Sequence, residues 1–128
     1  MKKLALTLIS IAFLAFGAVS LSAAHHKMDK ATPETVIHVV TVSWKADATE
    51  DQIKAALDGV VALAHDYDGI ERVWTKTLKA QGNRSHAFVM EFKNEQALKD
   101  YAGSDAQKKW YKTYYVAREG STTFDITN

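Results

Sequence analysis

The chain has 128 residues, a formal charge of +1, 47% hydrophobic residues and no cysteine. Its length suits one domain, and its balanced charge excludes a nucleic-acid or anionic-membrane surface built on a basic stripe. With no disulfide available, the core must hold the fold unaided.

The first element in chain order reads as an export signal. Lys2 and Lys3 form a positive head, residues 4–21 are almost wholly apolar, and Ser22 and Ala24 supply the small residues of a cleavage site before His25. An uncleaved membrane anchor is the rival reading, and the small-residue exit favours cleavage. The short lysine head points to a bacterial periplasm or the medium. Cleavage removes two lysines, so the formal charge falls from +1 to −1. Residues 1–24 are thus expected as signal peptide, 25–35 as a flexible polar leader with the only proline, and 36–128 as one domain with no membrane association of its own. His25 and His26 would begin the mature chain, where a terminal histidine can bind copper through amine and ring.

Residues 36–44, "VIHVVTVSW", read as the first strand. Thr49 and Gln52 form a capping box for a helix over 50–66, with Ile53, Leu57, Val60, Ala64 and Tyr67 as its buried stripe. Gly59 weakens that helix and marks a close approach to the sheet. "YDGI" turns into a strand over 71–78, and Gly82-Asn83 supplies positive φ for a hairpin loop. "SHAFVMEF" is the third strand. Asn94 caps a short helix ended by Gly103. Ser104 and Gln107 make a second capping box for a helix through about 116, and "STTFDIT" is the last strand.

The order is β-α-β-β-α-β with the second helix broken, the ferredoxin-like α+β arrangement, with a four-stranded antiparallel sheet in the order 4-1-3-2. Period-two alternation sorts two faces. His38, Val40, Val42, Trp44, Trp74, His86, Phe88, Met90 and Phe92 should meet the helices. Ile37, Val39, Thr41, Val73, Thr75, Thr77, Ala87 and Val89 form a face too apolar for water with no third layer to cover it. A second copy of the sheet, closing a dimeric α+β barrel, is the economical solution.

"VIHVVTVSWKADATEDQIKAAL", "DGIERVW", "SHAFVMEFKNEQALKDYAGSDAQKKW" and "STTFDIT" together resemble the stress-responsive A/B barrel (Dabb) family of dimeric α+β barrel proteins. The resemblance implies a homodimer. One plant relative, olivetolic acid cyclase, closes a polyketide ring with a tyrosine and a histidine in a pattern like Y-x-x-H-P-x-H. Here the run is "YAGSDAQ": Tyr101 matches the tyrosine, while Ser104 and Gln107 stand where the histidines would be. A glutamine cannot act as a general base.

His38 and Asp125 lie on strands expected to be neighbours, so they should meet; an aspartate acceptor fixes the imidazole tautomer. That suits either an acid–base residue or a buried histidine with its hydrogen bond satisfied. His86 should lie nearer Val42 or Trp44 than His38, too far from it to share a metal. Trp74, His86, Phe88, Trp110 and Tyr114, with Tyr101, could line a pocket for a flat or oily ligand, or be ordinary core. No nucleophile elbow, phosphate loop or zinc motif occurs, and no cofactor is implied. Two functions are compatible with these residues. One is a secreted homodimer of unassigned stress role binding a small apolar or aromatic molecule. The other is a cofactor-independent enzyme, cyclase-like or oxygenase-like, using His38, Asp125 and Tyr101.

Overall fold

The computed structural model describes residues 33–128; the expected signal and most of the leader, with His25 and His26, lie outside these residues. The strand β1 (Val36–Trp44) is followed by helix α1 (Glu50–Asp66), strands β2 (Ile70–Trp74) and β3 (His86–Phe92), helices α2 (Glu95–Tyr101) and α3 (Asp105–Ala117), and strand β4 (Arg118–Ile126). The sheet runs β2-β3-β1-β4 with every pairing antiparallel, which is the expected ferredoxin-like order. Among the described residues no helix is long and apolar enough to cross a membrane.

The helix boundaries follow from caps. The Thr49 hydroxyl accepts from Gln52 N, and the Gln52 side chain accepts from Thr49 N, so the first capping box is complete. Asn94 caps α2 by accepting from Ala97 N. The second box is half made. Ser104 accepts from Gln107 N, but the Gln107 carboxamide oxygen accepts from Gly103 N instead of closing back on Ser104. Gly103 carries φ +82°, a left-handed turn that suits glycine. In the hairpin loop only Gly82, not Asn83, has positive φ.

One layer of core lies between sheet and helices. Val36, Val40, Val42, Phe88, Met90 and Phe92 point from the sheet, and Ala56, Val60 and Leu63 form the buried centre of α1. The expected stripe is therefore rotated, with Ile53, Leu57, Ala64 and Tyr67 on its flanks. Gly59 is a point of close approach, but to α3 and not to the sheet: a Cβ there would stand 2.6 Å from Trp110 Cδ1. The indole fills that gap and donates from Nε1 to Ala56 O at 3.0 Å.

The second strand departs from the sequence reading. It ends at Trp74, not 78; beyond it the Thr77 hydroxyl takes over, bonding both N and O of Ala87. A bulge between Ile70 and Arg72 shifts the register, pairing Val73 with Met90 and Trp74 with Val89. The extra residue swaps the faces of the strand residues after it. Val73 thus meets the core, and Trp74 leaves the helix face on which simple alternation places it. It is 48% exposed on the opposite face. β4 also starts earlier than expected, directly at the end of α3.

That opposite face is open. Trp74, Val89, Val39 and Phe124 lie in one row across all four strands. Phe124 and Ile126 are more than half exposed. Beside them Glu91 is buried and gripped by Arg72, whose Nη2 donates to Oε1 at 2.9 Å and whose Nε donates to Oε2.

Arg72 holds the Glu91 carboxyl below its ordinary 4.5, with burial opposing and Thr35 assisting. A depressed folded value means that the pair's contribution is present above about pH 4.5 and is lost as pH falls through the folded pKa. Urea melts between pH 7 and pH 3 should show this loss, and Glu91→Gln should remove part of it. An unchanged acid slope in the variant would show that the pair contributes nothing.

Candidate functional site

The two histidines begin as strand residues on one face and end with opposite chemistry. β1 pairs His38 with Asp125 across β4 and with Met90 across β3, while His86 pairs with Val42. The two rings are therefore four residues apart along β1. Among the described residues no three His, Cys, Asp or Glu side chains converge as metal ligands.

His38 Nδ1 lies 2.5 Å from Asp125 Oδ1. A carboxylate can only accept, so Nδ1 carries the proton and Nε2 of the neutral ring keeps its lone pair. The His38 side chain is 14% exposed, and its ring meets Phe92 and Tyr101 edge-on at 5.7 and 6.3 Å. The Tyr101 hydroxyl is buried with no hydrogen-bond partner among the described residues. Burial pushes this phenol well above its ordinary 10, Tyr111 adds to the rise, and the nearby Gln107 amide opposes it. Tyr101 is thus a proton donor or a neutral hydroxyl near neutral pH. His38, Asp125 and Tyr101 do come together, and their geometry suits a basic nitrogen beside a phenol.

His86 accepts where His38 donates. Trp44 Nε1 donates to His86 Nδ1 at 2.7 Å. Indole can only donate, so the neutral imidazole carries its proton on Nε2. His86 thereby offers a donor to whatever lies before it.

The expected pocket between helices and sheet is filled by its own lining. Trp110 stacks on Tyr114 at 4.5 Å, and Phe88 meets both rings edge-on at 5.7 and 6.0 Å. All three are buried, so they serve as core. Trp74 is on the other face. Of the residues expected to line a pocket, His86 borders the largest of the described cavities. This open groove of about 610 Å3 lies between α1 and the end of β2, with Ile53 and Leu57 as its apolar wall and Thr75, Thr77 and His86 opposite. Glu50, Lys54, Asp58 and Lys76 form a charged rim.

Sequence reasoning missed a group around the end of α3. Gln107 Nε2 donates to Tyr111 Oη at 3.1 Å, and the Arg118 guanidinium lies over Tyr114 and Tyr115 at 5.8 and 5.2 Å. Burial pushes the Tyr111 phenol up to about 12. The tyrosines of "WYKTYY" at helical spacing were the available signal.

The stress responsive A/B barrel domain model matches residues 36–128. No curated protein sequence matches the chain. Among solved structures it is similar to a hydroxynitrile lyase from Passiflora edulis, at 17% identity and a TM-score of 0.67, over 75% of this chain and 94% of that one. A Dabb family protein with a ferredoxin-like fold from Mesorhizobium loti matches at 16% identity and 0.62, over 73% and 96%. A dimeric protein of unknown function with a ferredoxin-like fold from Bacteroides fragilis matches at 17% and 0.61, over 76% and 99%.

Removing His86 strands the buried end of the Trp44 indole. His86→Ala should cost about 1–3 kcal/mol in a urea melt, and Trp44→Phe in the same background should add much less than it does alone. Additive losses would show that the bond carries no coupling.

Proposed function

The chain belongs to the stress responsive A/B barrel domain family, and on that premise we propose that it is a periplasmic or secreted homodimer whose groove beside His86 binds a small apolar or aromatic molecule. The observation that carries this reading is the tautomer of His86. Trp44 fixes the ring so that Nε2–H is free to donate at a cavity walled by Ile53 and Leu57. An apolar cavity of a few hundred cubic ångströms with few oriented polar groups is what small-molecule sites share. The homodimer is supported by the row Trp74, Val89, Val39 and Phe124, exposed at its two ends, by the lack of a third layer over it, and by structural neighbours described as dimeric. Export is supported by the lysine head, apolar run and small-residue exit of residues 1–24.

A second reading, a cofactor-independent acid–base enzyme, is favoured by the His38–Asp125 pair beside the Tyr101 phenol. Gln107 leaves the matching position without a base. Assays of hydroxynitrile cleavage and of aldol ring closure discriminate the readings. Turnover that His38→Gln abolishes and His86→Gln spares supports the enzyme. No turnover above buffer removes support for these two reactions.

Native mass spectrometry of protein exported to the periplasm should show a chain beginning near His25, a dimeric mass and any retained ligand. A full-length chain recovered from membranes would overturn the export reading. Val39→Lys places like charges across a two-fold interface, so the variant should sediment as monomer. A dimer of unchanged stability would mean that the copies meet elsewhere.

A further inference from the structure

A second cavity of about 320 Å3 adjoins the groove, sharing Thr77 and His86 with it. Its other walls include Thr41 and Ala87 on the open face of the sheet and Lys79 and Arg84 from the hairpin loop. Arg84 is held in place. Its Nη2 donates to Thr122 Oγ1 at 2.8 Å, and its Nη1 donates to Ser43 Oγ at 3.4 Å. Both acceptors are neutral hydroxyls. Among the described residues, neither Arg84 nor Lys79 has a carboxylate partner within ion-pair distance.

A half-buried guanidinium tethered by hydroxyls keeps its full charge and three of its five N–H donors. Among the described residues no acid forms an ion pair with it, including Glu119, the chain neighbour of the Gly120 beside Arg84 Nη1. Asp58 on the groove rim is paired with Lys54, Glu50 stands on the far, α1 side, and Glu91 on the open face is taken by Arg72. The charge pattern is therefore polarised: an apolar wall at one end, then the His86 donor, then two cations without acids.

We propose that this second cavity is a carboxylate subsite, so that the molecule taken by the groove is an aromatic or aliphatic acid whose apolar body lies against Ile53 and Leu57 and whose carboxylate reaches Arg84 and Lys79. The proposal rests on the groove reading given above. A guanidinium meets a carboxylate through two parallel N–H donors, which a neutral amide cannot match. Anionic recognition by charge-assisted bonds corresponds to about a tenfold preference for the acid over its neutral isostere.

Calorimetric titration of the full mature protein with 2-naphthoate and 2-naphthamide tests this. The wild type should bind the acid about tenfold more tightly than the amide. Arg84→Gln with Lys79→Gln should bring the two affinities together by weakening the acid much more than the amide, whose carbonyl loses only neutral hydrogen bonding. Leu57→Glu should weaken both. If the wild type binds acid and amide equally, the subsite is wrong and the groove stands. If it binds neither, both fall. If the Arg84→Gln variant instead changes the dimer dissociation constant and not the acid preference, Arg84 serves the interface between copies, and the subsite is likewise overturned. Thermal melts of each variant identify any loss that reflects unfolding, and in that case the single variant Lys79→Gln must halve or better the acid preference for the proposal to hold.

Discussion

The seat of Trp110 is the constraint on which the rest of the molecule depends. Its ring enters only because Gly59 has no Cβ, and its Nε1 is satisfied by Ala56 O, one turn earlier on α1. This single side chain locks α3 against α1. It then stacks on Tyr114 and meets Phe88, which joins the helix pair to the central strands. A buried indole with its N–H bonded, one face stacked and a second ring edge-on to it fixes position more narrowly than aliphatic packing can. The cost is space: the interior between helices and sheet is occupied by the same rings that would otherwise enclose a ligand there.

That occupancy divides the chemistry of the chain. On one side, His38, Asp125 and Tyr101 make a compact set in which His38 and Tyr101 meet the core ring of Phe92. On the other, His86 stands at an open groove with its ring oriented by Trp44. The histidines share a face of the sheet, yet one presents a lone pair and the other a proton. The difference comes entirely from the partner on Nδ1, a carboxylate in one case and an indole in the other.

Much of this was legible in the residues. The caps at Thr49 and Asn94 place helix starts, because a side-chain acceptor must precede the free N–H groups of a first turn. The alternation in β1 and β3 orders the core, and antiparallel pairing brings His38 to Asp125 and His86 to Val42. What escaped has physical reasons. A bulge has no compositional mark in "GIERVW", so the face of Trp74 was unreadable from alternation. Whether Phe88, Trp110 and Tyr114 line a space or fill it depends on how closely two helices approach, which Gly59 decides from a distant part of the sequence. The orientation of Arg84 depends on hydroxyls from two other strands.

The bulge at Glu71 acts as a parity switch for the edge of the sheet. Every side chain after it in β2 faces the direction opposite to that of an unbroken strand, so the indole of Trp74 extends the exposed row instead of competing with Phe88 and Val40 for the interior. Regular pairing of all five residues, with none lost, would restore the parity. It would press a large ring into a filled core and carry Val73 outward in the same step. Deletion of Glu71 would instead remove the bulge and leave Arg72, Val73 and Trp74 on their present faces, so one residue can be lost here without exchanging the two surfaces.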